Sequence, residues 1–127
     1  MPLYNKDLFQ MLPDCGFSDE ITKLIVQQVI RGLQFMHLCG VVNLDISLEN
    51  IFCVGTPDSS DFRVVLGDFG NAERVPSASL QYPFGVVSSF TGRGKYYYFA
   101  PEYLEGRALL DTLKIDIWQL VKISLNF

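Results

Sequence analysis

The pattern of apolar positions predicts one long helix in the first third of the chain. Ser18 is a suitable N-cap, and the acidic residues Asp19 and Glu20 match the positive end of the helix dipole. Gly40 can adopt the left-handed conformation that commonly ends a helix, so the helix should end near Cys39. The apolar residues that recur at helical spacing between these limits are Ile21, Leu24, Ile25, Val29, Leu33 and Met36.

Shorter apolar runs predict a few strands after this helix. Residues 41–42 are two valines, residues 51–54 read IFCV, and residues 62–67 read FRVVLG. The turn-forming stretch GTPDSSD lies between the last two runs, so these runs are predicted to form a β-hairpin.

The remaining segments predict helix at both ends and a long loop between them. Residues 3–12 resemble a short helix before Pro13, and the chain from about Thr112 onward is helix-like. Residues 71–95 are rich in Ser, Pro and Gly and form a long predicted loop, which is typical of functional segments. The predicted fold class is α+β, mainly α.

Composition narrows the class of protein. A chain of 127 residues is long enough for one small domain, and its 49% hydrophobic content suggests apolar surface intended for a partner. A net charge of −4 and the lack of a basic run argue against a nucleic-acid partner. Without an apolar signal core or a stretch long enough to cross a bilayer, the sequence predicts a soluble cytoplasmic protein with no membrane partner. Three cysteines without CxxC spacing predict free thiols rather than a zinc site.

Four motifs occur in an informative order. An aspartate and an asparagine five residues apart, Asp45 and Asn50, are followed by Asp68-Phe69-Gly70, then Ala100-Pro101-Glu102, then Asp116-Ile117-Trp118. Any one of these could arise by chance, but their order on suitable elements is specific. The chain resembles the C-terminal lobe of a eukaryotic protein kinase, of the serine/threonine type, over nearly its whole length.

The resemblance implies a role for each motif. Asp45 would accept the proton of the attacking hydroxyl, and Asn50 and Asp68 would hold Mg²⁺ against the phosphates of ATP. Phe52 would pack beneath the adenine ring. Glu49 would contact a basic residue of a protein substrate, although a solvated charge is an equal alternative. Asp45 and Asn50 could instead be ordinary loop-capping residues.

The chain also departs from the family pattern. Asn43-Leu44 precedes Asp45 where the family usually has His-Arg. Ser47 stands where serine/threonine kinases usually carry a catalytic lysine, and Lys95 stands where they carry a threonine. These two positions are neighbours in the family fold, so we predict that Ser47 and Lys95 have exchanged hydroxyl and charge near Asp45. The alternative is that Lys95 is an exposed loop lysine.

The sequence contains no glycine-rich phosphate loop and no lysine of the type that follows it. We therefore expect residues 1–127 to be a partial kinase domain, with the N-terminal lobe missing from this chain and present in a full-length parent. Such a fragment is expected to be inactive alone. The competing interpretation is a pseudokinase or non-catalytic lobe that binds proteins, favoured by Asn43-Leu44 and opposed by the retention of Asp45, Asn50 and Asp68.

Overall fold

The computed structural model describes residues 6–13, 16–75, 96–101 and 112–127. In this part of the chain, single turns of 3₁₀ helix lie at Leu48–Asn50, Phe69–Asn71 and Tyr96–Tyr98. The strands and helices, numbered in chain order, are β1 (Lys6–Asp7), α1 (Leu8–Met11), α2 (Asp19–Leu38), β2 (Val41–Val42), β3 (Ile51–Val54), β4 (Arg63–Leu66), β5 (Glu73–Arg74) and α3 (Thr112–Ser124).

The long helix α2 confirms the prediction from apolar spacing. The Ser18 hydroxyl accepts a hydrogen bond from the Ile21 amide at 3.3 Å, which caps the first turn. Gly40 has a φ of 71°, the left-handed conformation expected just beyond the helix end. The face of α2 that enters the core is formed by the buried residues Ile25, Val29 and Leu33.

The predicted hairpin is present, and it belongs to a larger sheet than the sequence indicated. Strands β3 and β4 pair antiparallel, with Phe52 opposite Val65. The predicted helix over residues 3–12 was wrong at Lys6 and Asp7, because these residues form β1 on the free edge of β3. The Asp7 carboxylate then accepts the Gln10 amide at 2.8 Å and starts the short helix α1 at the next residue.

The short strand β2 confirms the prediction for the two valines and finds its partner in a segment predicted as loop. Val42 lies opposite Glu73 in an antiparallel pair with β5, and the Val75 amide donates to the Gly40 carbonyl at 2.8 Å. The predicted loop over residues 71–95 was therefore wrong at its start, and residues 76–95 lie outside the described ranges.

Two buried clusters surround the loop that connects β2 to β3. One lies between α2, the β1–β3–β4 sheet and α3, and it includes Leu33, Ile46 and Ile51. The other lies beneath β2 and β5 and includes Val42, Leu44 and Ile115. Residues 42–48 are buried throughout, so the loop that carries Asp45 is a core element.

None of the helices in the described ranges combines the length and the apolar character needed to cross a membrane.

Candidate active site

The loop from Asn43 to Asn50 is fixed to helix α3 by one buried carboxylate. Asp116 is fully buried and accepts the Asn43 amide at 2.9 Å and the Leu44 amide at 2.7 Å. It also accepts His37 Nε2 at 2.8 Å, at the end of α2. A carboxylate that receives three donors holds the loop strongly, since hydrogen bonds to charged groups are the stronger class. Asp116 thus braces the loop backbone, and His37 joins this contact from the end of α2.

A second side chain of α3, Gln119, completes the attachment of the loop. Its Oε1 accepts the Ile46 amide at 2.9 Å and its Nε2 donates to the Leu44 carbonyl at 3.1 Å. Leu44, between these contacts, has a φ of 64° and is fully buried. A left-handed leucine is costly and persists only where its surroundings define the backbone. Asp116 and Gln119 together fix the Leu44 backbone, because one accepts its amide and the other donates to its carbonyl.

Asp45 and Asn50 are in direct contact. Asn50 Nδ2 donates to the Asp45 carbonyl and to Asp45 Oδ2, both at 2.9 Å. Because a carboxylate can only accept, the amide nitrogen of Asn50 must face Asp45, and the amide oxygen is left for another group. Asp45 is 9% exposed and Asn50 is 7% exposed. The Asn50 side chain thus bonds to the loop backbone and forms a buried polar pair with the Asp45 side chain.

The segment that contains Asp68 is attached to this pair on both sides. The Gly67 amide donates to the Asn50 carbonyl at 2.9 Å, and Asn71 Nδ2 donates to Asp45 Oδ2 at 3.1 Å. Asp68 has a left-handed φ of 51° and accepts the Gly70 amide at 3.3 Å. The structure thus brings the backbone around Asp68 to the Asp45–Asn50 pair.

An edge of the Phe52 ring packs against Gly67, just beyond the end of the neighbouring strand β4. A Cβ atom on Gly67 would come within 2.3 Å of Phe52 Cε2. The lack of a side chain at this position is therefore what allows the ring to occupy its place.

Glu49 is half-buried and lines an open groove with Leu48, Phe9, Tyr97 and Tyr98. Burial raises the pKa of Tyr98, and the charge of Glu49 raises it further, while a hydrogen bond to the backbone of Leu48 opposes both. Glu49 and the tyrosine are thus electrostatic neighbours.

The proposed exchange between Ser47 and Lys95 stays a prediction. Ser47 is fully buried at the start of the 3₁₀ turn, but Lys95 lies outside the described residues.

Other titratable groups do not extend the site. Within the described ranges no three His, Cys, Asp or Glu side chains lie together as a metal-binding cluster. Asp45, Asp68 and Asn50 are a different kind of group, because they supply two carboxylates and one amide. Cys53 is a free buried thiol whose pKa is raised to about 11, chiefly by burial and then by the charge of Asp7. A thiol with this pKa is unreactive at neutral pH.

Sequence reasoning missed two polar side chains of the site. Asn71 follows the Asp68-Phe69-Gly70 motif directly, as the first residue of the predicted loop over residues 71–95. Gln119 is one turn beyond Asp116 on α3, and this i, i+3 spacing was the available signal.

Known proteins resemble this chain in sequence. The family model described as the protein kinase domain matches residues 1–125. The meiosis-specific serine/threonine-protein kinase mek1 of Schizosaccharomyces pombe is 31% identical over 124 residues, covering 90% of this chain and 26% of that protein. Myosin light chain kinase 2 of Oryctolagus cuniculus is 31% identical over 121 residues, covering 93% of the chain and 18% of that protein. The striated muscle preferentially expressed protein kinase of Danio rerio is 33% identical over 121 residues, covering 94% of the chain and 4% of that protein.

In this chain a buried aspartate–asparagine pair lies beside an Asp-Phe-Gly turn. The chain belongs to the eukaryotic protein kinase family. It spans about a quarter or less of the length of these curated relatives.

Proposed function

We propose that this chain is the C-terminal-lobe part of a cytoplasmic protein serine/threonine kinase that transfers the γ-phosphate of ATP to a protein hydroxyl. The observation that carries the proposal is the contact between Asp45 and Asn50, on a buried loop bonded to the segment around Asp68. Positioning of this kind is what phosphoryl transfer requires from a protein, since little covalent chemistry is left for the enzyme to do.

In the proposed reaction, the substrate hydroxyl oxygen bonds to the γ-phosphorus as the bond to the bridging oxygen of ADP breaks. The hydroxyl proton passes to the carboxylate of Asp45. Glu49 would orient a substrate that carries a basic residue, and Phe52 would support the adenine ring.

The residues present fit Mg²⁺. This ion prefers hard oxygen ligands, and Asn50 has its amide oxygen available because its nitrogen is bonded to Asp45. Asp68 would supply a carboxylate. The ion would neutralise charge on the phosphates, while Asn50 and Asp68 would fix its position relative to Asp45.

The non-catalytic alternative has one observation in its favour. Asn43, which stands where the family has histidine, is 1% exposed, and its Nδ2 finds no hydrogen-bond acceptor among the described residues. An unpaired buried donor costs about 1–3 kcal/mol. A binding lobe that needs no precise loop could tolerate that cost more readily than an enzyme.

The experiment is a phosphotransfer assay on this chain joined to the glycine-rich lobe expected upstream of it. We expect Asp45→Ala to lower kcat by about 10²- to 10⁴-fold, because the proton acceptor is lost. Asp58→Ala, at an exposed turn, is the matched control and should leave kcat unchanged. Equal activity of the two variants would contradict the assignment of Asp45, and an inactive wild-type protein that still binds a partner would favour the alternative.

A further inference from the structure

Asn71 is the polar side chain of this site that the proposed function does not use. It closes the 3₁₀ turn Phe69–Asn71, one residue after Gly70. Its amide nitrogen reaches Asp45 Oδ2 at 3.1 Å, across 26 residues of chain. Asn71 is half-buried, so this contact is formed at the edge of the buried loop.

The backbone holds Asn71 in place from both directions. The Ala72 amide donates to the Phe69 carbonyl at 3.0 Å, which closes the turn that carries Asn71. Strand β5 begins two residues later and pairs with β2, immediately before Asn43. The position of Asn71 beside Asp45 therefore follows from the sheet and the turn, and does not depend on the side-chain contact itself.

The two carboxylate oxygens of Asp45 differ in their hydrogen bonds. Both side-chain donors in the described ranges, from Asn50 and Asn71, reach Oδ2. Within those ranges no Lys or Arg forms an ion pair with Asp45. A nearly buried carboxylate needs such donors, because an uncompensated buried charge is costly. With Oδ2 held between two amides, the plane of the carboxylate is defined and Oδ1 is presented away from them.

We infer that Asn71 is a positioning residue for Asp45, fixing the carboxylate with Oδ1 directed at the acceptor hydroxyl. This inference rests on the proposed function. Because Asn71 belongs to the turn that begins at Asp68, the bond also makes the orientation of Asp45 depend on the arrangement of the metal-binding segment.

The test is NMR spectroscopy of the full ¹³C,¹⁵N-labelled chain, with the side-chain rotamer of Asp45 read from three-bond couplings. In the wild-type chain we expect one rotamer, and in Asn71→Ala a mixture, with the thermal midpoint changed little. Asn126→Ala is the matched control, because the Asn126 side chain is exposed and its amide donates to the Lys122 carbonyl at the end of α3, not to Asp45. A single Asp45 rotamer in Asn71→Ala would overturn the inference.

A second variant keeps the test decisive if Asn71→Ala does not fold. Asp45→Ala removes the acceptor, so the side-chain amide protons of Asn71 should exchange with water faster, by on the order of tenfold for a hydrogen bond to a charged group. Unchanged exchange would overturn the inference.

The phosphotransfer assay on the chain joined to the glycine-rich lobe separates this inference from the proposed function. Absence of transfer by that protein, with a single Asp45 rotamer that depends on Asn71, would contradict the proposed function alone. Transfer that requires Asp45, with an Asp45 rotamer indifferent to Asn71, would contradict the inference alone.

Discussion

At the scale of single residues, the position of the Phe52 ring depends on the absence of a side chain at Gly67. Phe52 fits beside Gly67 only because a glycine has no Cβ. Gly67 is not among the residues with positive φ, so its backbone does not itself require glycine. The space needed by the ring is therefore the reason for glycine at this position.

This reasoning predicts the effect of Gly67→Ala. The added methyl group must displace the Phe52 ring, and overpacking of this kind destabilises by about 1–3 kcal/mol. In a Phe52→Leu background the loss should be much smaller, because the ring carbon that meets the methyl group is absent. Urea denaturation of the four proteins in this cycle measures the difference. The same loss in both backgrounds would show that Gly67 is needed for another reason.

At the scale of elements, helix α3 is what shapes the loop from Asn43 to Asn50. Asp116 and Gln119 lie one turn apart on α3, and they bond to four backbone groups of the loop: the amides of Asn43, Leu44 and Ile46 and the carbonyl of Leu44. Within residues 43–46 the loop forms no strand pairing, so these backbone groups are satisfied by side chains of the helix.

Gln119→Glu tests this attachment. The new carboxylate can still accept from Ile46, but it cannot donate to the Leu44 carbonyl and should repel it. We expect the free energy of unfolding to fall by about 1–3 kcal/mol, the cost of an unsatisfied buried group. Gln27→Glu, at an exposed position of α2, makes the same chemical change and should alter stability by less than about 0.5 kcal/mol. A similar small effect at both positions would contradict the role of Gln119.

The elements differ in how far the sequence could predict them. Helix α2 and the β3–β4 hairpin follow from local signals, namely apolar period, an N-cap at Ser18 and a turn-rich connection. Strands β1 and β5 have two residues each, and they exist only because a distant edge offers hydrogen bonds. No local pattern encodes such a partner, so both were missed.

The contacts of the site also differ in how far the sequence could predict them. The contact of Asp45 with Asn50 follows from a spacing of five residues in one loop, which a motif can express. The contacts of Asp45 with Asn71 and of Ile46 with Gln119 join segments 26 and 73 residues apart. Only the folded chain shows them.

At the scale of the whole molecule, apolar surface lies open next to the site. Phe69 is 54% exposed and Phe35 is 69% exposed, on either side of a shallow groove lined by α2 and β4. A second apolar groove, between α2 and α3, is lined by Ile30, Leu38 and Ile117. Contiguous exposed apolar surface of this kind usually marks an interaction site.

We therefore predict that the purified 127-residue chain binds nucleotide weakly and transfers phosphate no faster than its own Asp45→Ala variant. The proposed pocket would have a floor at Phe52 and no opposing wall formed by residues 6–13, 16–75, 96–101 or 112–127, so we expect ATP to be poorly oriented and open to water. A radiolabelled phosphotransfer assay at high enzyme concentration measures this. Transfer by the wild-type chain clearly above that of the variant would show that these residues suffice.

The attachment of the loop to α3 has a consequence for how the protein is made. The Leu44 and Ile46 backbone groups are bonded to side chains of Asp116 and Gln119, which lie 72 to 75 residues further along the chain. A ribosome adds residues from the N-terminus, so the hairpin and α2 can form while the loop still lacks its supports. The loop that carries Asp45 can therefore take its folded conformation only after α3 has left the exit tunnel.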